Sequence, residues 1–385
     1  MKKYFNGERF YLKGDPAVVI AAILLVLFSF AVVFSTSSNL VNVYRLHSHW
    51  FYFAKHLFLI GIAVVLFFVG MLIPVRSLGK ISFLALIISI LLLIYTLFFG
   101  ISANGETARR WINLRFATIQ PSFIAMYAVM LYTAFYLDKI KNKTTGLAED
   151  FKFYWIFILI TVALIMPANN STALMILAMV MTILFIGGYS LKKITAVTAL
   201  LVMLTGGYYL AAKAFPETIP NRFETLEKRI QRYFSGQDEK SKEITQTVRA
   251  KMAIASGGLI RWAPGKSVQK NMLSQSSSDF VYAVIIEEYG LMGGLLILFL
   301  YLLLFVRIFI ISQNLKDYFA KILTLALGLP VITQAFINMS VATGLIPVTG
   351  QPLPLISTGG TTIMLTGLVL GIIVKLSEAI YENEE

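Results

Sequence analysis

Long apolar runs separated by short polar stretches recur along this chain, and no other feature leaves so few folds open. They fall at about 17–35, 52–74, 81–100, 119–137, 153–167, 171–190, 193–213, 280–311, 320–344 and 359–380. Most approach the ~20 residues that carry an α-helix across a bilayer core. The fifth is short, and the eighth is long enough to tilt or to extend past the bilayer. The short alternating segments of a membrane β-barrel are not the pattern. The expected fold is therefore all-α, a polytopic membrane protein with about ten transmembrane helices. One integral membrane domain spans 1–385, with no internal repeat. With 57% hydrophobic and 14% charged residues, the chain is too apolar for a soluble core. The run at 17–35 exceeds a signal-peptide core and lacks a small-residue cleavage site, so it reads as the first span.

Basic residues orient the spans. The N-terminal stretch, 75–80, 138–152, 189–195 and 312–320 carry Lys or Arg, whereas 168–170 and 345–358 carry none. That alternation puts both termini in the cytoplasm. It also makes 214–279, between the seventh and eighth runs, a large extracytoplasmic loop. Phe223, Leu226, Ile230 and Tyr233 suggest one interfacial amphipathic helix in that loop. Ile244, Val248, Met252 and Ala255 suggest a second. The outer loop at 101–118 breaks the charge rule with Arg109, Arg110 and Arg115.

The formal net charge of +13 exceeds what orientation requires and suits an anionic lipid or substrate. Nucleic acid is not an expected partner, because there is no basic soluble domain interleaved with aromatic residues. There is no cysteine and only three histidines, so neither a thiolate site nor a His-built metal site is expected.

Three clusters can carry chemistry. Asp279 stands at the doorstep of the eighth run. There it can act as a partly desolvated proton acceptor; as Ser277-Ser278-Asp279 it can also cap the helix. Glu287 and Glu288 follow about two turns later, where helical geometry lets at most one share the Asp279 face. A structural ion pair is an equally good account of them. Arg109-Arg110-Trp111 can grip phosphate, or anchor the loop at lipid headgroups. The uncharged segment from Gly344 to Gly360 is rich in Pro and Gly, so it lines a cavity or makes a rigid turn.

Together these stretches resemble the SEDS family of bacterial cell-wall polymerases, the group of FtsW, RodA and SpoVE. Gly105 through Gln120-Pro121-Ser122 is similar to the family's G-x-x-R-W-I … Q-P-S segment, and Pro167 to Ala173 to P-x-x-x-T-A. Gly265-Lys266-Ser267-Val268-Gln269-Lys270, Asp279-Phe280 and Glu287-Glu288-Tyr289-Gly290 are similar to G-x-S-V-Q-K … D-F … E-E-x-G. Thr343 through Gly360 resembles T-G-L-x-P-V-T-G-x-P-L-P-x-x-S-x-G-G. The S-V-Q-K form looks more like the FtsW branch than the RodA branch. Phe123 and Met126 stand where the family usually carries an acid and a base, and Ala168 where it often carries an acid. Losing the first two together leaves no orphan charge.

The resemblance implies a peptidoglycan glycosyltransferase that polymerises lipid II at the outer face of the cytoplasmic membrane, at the septum. It implies a class B penicillin-binding protein and other division proteins as partners, and a divalent ion, Mg or Mn. Asp279 falls on the family's essential aspartate. Substrate-binding candidates are Arg110, Trp111, Ser267, Gln269, Lys270, Glu287, Ser357, Gly359 and Gly360. Arg109, Arg261 and Lys266 are further phosphate-side cations. A lipid II flippase and a non-catalytic division scaffold are the rival readings.

Overall fold

The computed structural model describes residues 14–44, 48–102, 109–113, 118–214, 242–273 and 278–381. Each of the ten apolar runs coincides with a helix. These are α1 Pro16–Tyr44, α2 His49–Leu72, α3 Val75–Phe99 and α4 Pro121–Ile140. Next come α5 at 147–165, with a π-helical turn over Phe151–Trp155, α6 Asn170–Ile186 and α7 Leu191–Ala214. After α8, Lys242–Gly257, the bundle closes with α9 Val281–Asn314, α10 Tyr318–Thr343 and α11 Gly360–Tyr381. Among the described residues, seven helices (α1–α4 and α9–α11) are long and apolar enough to cross a membrane. The only sheet among them is a two-stranded hairpin, β1 Ile112–Asn113 with β2 Thr118–Ile119, paired antiparallel.

Local sequence sets the helix ends. Pro121 occupies the first turn of α4, where its missing N–H is not needed. The Asn169 side chain accepts from Thr172 N at the start of α6, and Asp317 from Ala320 N at the start of α10. Small residues set the closest packing. A Cβ on Gly371 would stand 2.0 Å from the Phe67 carbonyl, and one on Gly367 2.4 Å from that of Ala63. Backbone therefore meets backbone between α2 and α11, as small residues permit in membrane helix pairs. At one end of the bundle the Asp15 amide donates to Ser377 Oγ at 2.8 Å, so the start of α1 and the end of α11 lie on the same side.

The long eighth run is broken. Gly290 has φ +73 and ψ 179, which interrupts α9. Every residue from Val281 to Gly290 is buried, whereas Leu291, Met292, Leu295, Leu296 and Phe299 point outward. The stretch 291–314 is about 36 Å long at 1.5 Å per residue, enough alone for a hydrocarbon core of about 30 Å. The first ten residues of α9 are thus a stub enclosed by protein. Glu287 and Glu288 sit in that stub and not at lipid depth.

The segment before α9 also differs from the expected outer loop. α8 packs on α9 through Ala250 and Ala253, both fully buried, and Gly257, which closes against the Ile286 carbonyl. Val248, Met252 and Ala255, three of the four residues of the expected apolar stripe, face outward. Small residues won the inner face because they allow close approach to α9. The suggested helix at 223–233 lies outside the described residues.

Candidate functional site

Asp279 occupies the turn into α9 and is only 7% exposed. It does not cap the helix: the cap position is Phe280, with no side-chain cap bond. α10 instead supplies the fixing group. Asn338 Nδ2 donates to the carbonyls of Ser278 (3.1 Å), Asp279 (3.1 Å) and Gln351 (2.8 Å). Ser357 Oγ donates to the same Ser278 carbonyl at 3.1 Å and accepts from Leu353 N at 2.7 Å. The turn carrying Asp279 is therefore stitched to both α10 and the Pro-rich segment before α11.

Gly350, at φ +71, brings that segment against the carboxylate: a Cβ built there would lie 3.8 Å from Asp279 Oδ2. Three buried oxygens belong to residues in this neighbourhood and make no hydrogen bond among the described residues: Asn338 Oδ1, Thr349 Oγ1 and Gln351 Oε1. An unsatisfied buried acceptor is unfavourable by about 1–3 kcal/mol, so such atoms on Asn338 and on the two residues flanking Gly350 mark a place for a ligand. All are hard oxygen donors, the kind that Mg²⁺ or Mn²⁺ accepts with few protein ligands and several waters or phosphates. No cluster of three or more His, Cys, Asp or Glu exists among the described residues.

Arg109 and Arg110 border a cavity of their own. Arg109, Arg110, Gln120, Ser122, Ala168 and Asn169 line a cavity whose lining holds two guanidinium-bearing residues and no carboxylate. Ala168 contributes to that balance, since it stands where related chains often place an acid. Trp111 pairs with Ile101 through the backbone and is half-buried. A chain of contacts leads from this cavity to Asp279. Asn169 caps Thr172, Thr172 Oγ1 accepts from Gln351 Nε2 at 2.8 Å, and Gln351 accepts from Asn338. Gln120 N donates to Thr361 Oγ1 at 3.0 Å, tying the hairpin to the start of α11 beside Gly359 and Gly360. Hence Asp279, Arg110, Trp111, Ser357, Gly359 and Gly360 belong to one end of the bundle.

Ser267, Gln269, Lys270 and Glu287 form a bonded cluster of their own, together with Glu288. Glu287 Oε1 accepts from Val268 N (2.9 Å) and Gln269 N (3.3 Å), and its other oxygen from Ser267 Oγ. Glu288 accepts from Gly265 N and Ser267 N, both at 3.1 Å, and from Ser35 Oγ. Lys270 Nζ reaches the Gly265 carbonyl at 2.6 Å, Ser35 Oγ at 3.2 Å and Glu288 at 3.9 Å. Burial pulls the lysine below its usual pKa, and Glu288 and Glu287 oppose that shift. Both glutamates thus serve one loop. Helical spacing allowed only one to face Asp279, but the 265–269 arc is wide enough to reach both. Arg261 turns back to the Ser256 carbonyl at 2.8 Å.

Asn338 and Gln351 were not singled out as site residues. Their signal is an amide side chain in an otherwise apolar or Pro-rich stretch, a pattern that marks buried polar contacts in membrane proteins. Phe123 and Met126, at the positions of the missing acid and base, are fully enclosed, and Gln334 Nε2 lies 3.4 Å from Met126 Sδ.

A family model described as a cell cycle protein, covering FtsW, RodA and SpoVE, matches residues 17–382. The chain belongs to this family. As an FtsW/RodA/SpoVE protein it has relatives across bacteria. One from Bacillus subtilis (strain 168), called a probable peptidoglycan glycosyltransferase FtsW, is 30% identical over 96% of this chain and 92% of its own length. One of the same name from Wigglesworthia glossinidia brevipalpis is 27% identical over 93% and 92%. The family fold is shared with a chain of a peptidoglycan synthase complex, described as coordinating polymerization and crosslinking. That match has TM-score 0.72 and 23% identity over 97% of this chain and 100% of the other. It is shared too with Thermus thermophilus RodA, at TM-score 0.66 and 22% identity over 96% and 98%.

Proposed function

We propose that this multi-pass membrane protein is a peptidoglycan glycosyltransferase that uses Asp279 as its base to polymerise lipid II. The observation that carries the reading is the buried Asp279 carboxylate beside Gly350, next to residues that hold unsatisfied buried oxygens. The donor is a glycan on undecaprenyl pyrophosphate, and the acceptor is the sugar 4-hydroxyl of lipid II. Asp279 takes the hydroxyl proton as that oxygen attacks the anomeric carbon. The new C–O bond forms with inversion as the bond to the diphosphate breaks, and the departing diphosphate keeps the electron pair. Such a leaving group is weakly basic, so it needs charge neutralisation and no general acid. One carboxylate then suffices where a glycosidase uses two.

Arg110, with Arg109, supplies cationic charge on the diphosphate side; Lys270 does not, because its ammonium is committed to the Glu288 loop. Asn338 Oδ1, Thr349 Oγ1 and Gln351 Oε1, on the residue that holds the Asp279 turn and on the two flanking Gly350, are the donors that would hold Mg²⁺ or Mn²⁺. A bound ion there would supply neutralisation of developing charge. Family membership supports a class B penicillin-binding protein as partner and the bacterial inner membrane as location; other division proteins and the septal region complete the same reading.

The test is reconstitution of the full chain in vesicles with its penicillin-binding partner, lipid II and Mn²⁺ or Mg²⁺. Glycan strands from the wild type and none from Asp279→Asn are the expected result. Lipid II translocation without strands would make the chain a flippase. Neither activity would leave a scaffold.

A further inference from the structure

We propose that the 259–262 turn is a membrane-surface anchor that sets Leu259, Ile260 and Trp262 into the anionic leaflet bordering the kinked end of α9. These side chains are 60%, 78% and 82% exposed, which is unusual for a Leu, an Ile and a Trp side by side. They are held outward by a fixed backbone. Leu291 N donates to the Gly258 carbonyl at 2.9 Å, Met292 N to that of Leu259 at 3.1 Å, and Ala263 N to that of Glu288 at 2.9 Å. The turn thus satisfies the amides freed by the break at Gly290. A Cβ at Gly290 would lie 2.7 Å from Arg261 N and 2.8 Å from the Leu259 carbonyl, so only glycine lets the turn dock.

Position identifies what covers the patch. The segment 291–314 alone spans a hydrocarbon core, which puts Leu291 at the headgroup boundary. Leu291 and Met292 are themselves exposed on the lipid-facing side of α9, and the turn is bonded directly to them. Its apolar surface therefore continues the lipid-facing one. Trp262 also packs edge-on against Tyr289, with centroids 5.5 Å apart. Tryptophan at the rim of a span is a typical interface anchor. The charge is complementary to anionic lipid: between positions 242 and 273 the sequence carries six Lys or Arg and one Glu. Arg261 and Lys266 are the cations flanking the apolar turn, and basic groups near an anionic surface strengthen its attachment. This surface is separate from Asp279, so the proposal stands whether or not that residue is the base.

Because the chain has no cysteine, single spin labels can be placed on Ile260→Cys and Trp262→Cys without removing any native thiol. Phe299→Cys, 59% exposed on α9, reports the lipid face, and Lys143→Cys reports water. In vesicles containing phosphatidylglycerol, the labels at 260 and 262 should collide with oxygen several-fold more than with a nickel chelate, as at 299 and opposite to 143. Adding Arg261→Gln and Lys266→Gln should reduce that preference in anionic vesicles and leave it unchanged in phosphatidylcholine. A nickel preference at 260 and 262 would mean the turn faces water. Low collision with both probes would mean a protein chain, either a partner helix or a second copy, covers it. An oxygen preference unaffected by the charge changes would remove the anionic headgroup from the account. Each of these three results overturns the proposal.

Discussion

Asn338 reaches across 59 residues of sequence to donate to the Asp279 carbonyl at 3.1 Å, and with the same nitrogen it holds Ser278 and Gln351. One buried amide on a spanning helix thereby fixes the turn that presents the carboxylate. Its other heavy atom, Oδ1, is left with no hydrogen bond among the described residues. Replacing Asn338 with Leu should leave the Asp279 and Gln351 carbonyls short of this donor, at about 1–3 kcal/mol for each buried group, while Ser278 keeps the bond from Ser357. Thermal unfolding in detergent should fall, and lipid II polymerisation should fall further than the stability loss explains. Polymerisation at the wild-type rate in a folded Asn338→Leu protein would remove Asn338 from any positioning role.

Asp279→Asn keeps the side chain's size and removes the base. Strand formation should drop by about 10²–10⁴-fold, the usual worth of a general base. Membrane insertion and unfolding temperature should stay near wild type. The measurement is glycan-strand yield at matched protein levels.

Glu288 accepts the amides of Gly265 and Ser267 and the hydroxyl of Ser35. Glu288→Ala should release the 263–270 loop, because the buried Ser267 amide and the part-buried Gly265 amide lose their acceptor and Lys270 loses its countercharge. Breaking a buried pair from one side is unfavourable by about 3–5 kcal/mol. Limited proteolysis should then cut within this loop in Glu288→Ala, while the wild type resists. The double variant Glu288→Ala/Lys270→Met should recover part of the loss, since it leaves no unpaired charge.

Asp150 gathers Tyr136 OH and Tyr189 OH, each at 2.6 Å, and Lys193 Nζ at 2.5 Å at the opposite end of the bundle from Asp279. Burial alone would raise its pKa, but bonds from Lys193, Thr145, Tyr136 and Tyr189 outweigh it and leave the carboxyl below its ordinary value. A depressed folded pKa adds stability that is present above the unfolded value, near 3.9, and lost as pH falls through the folded value. Thermal stability of the wild type should therefore decline on acidification below about pH 4. Asp150→Asn should be less stable at neutral pH and should lack that part of the decline.

Arg110→Gln should weaken use of lipid II through a higher KM, because this guanidinium-bearing residue lines the cavity. Arg110→Lys should recover only part, since an ammonium cannot match a phosphate bidentately. Initial rates across a lipid II titration measure both.

Much of the architecture was readable from hydropathy. The period and length of apolar runs are local properties, and a bilayer accepts few alternatives to a helix of that length. The same locality explains why all ten runs coincide with helices. The partition of the signature between site and scaffold was not readable. Glu287, Ser267, Gln269 and Lys270 are as distinctive in sequence as Asp279, yet they spend their donors and acceptors on holding a loop across the Gly290 break. Neither spacing nor composition encodes which of two nearby carboxylates meets an amide-rich loop and which meets a Gly350 with no side chain. Those outcomes depend on α10, α6 and the segment before α11 arriving from 60 to 180 residues away. Contacts at that separation exist only once the bundle is packed, so helix formation followed from nearby residues, whereas burial, hydrogen-bond partners and the orphaned oxygens of Asn338, Thr349 and Gln351 followed from the assembled whole.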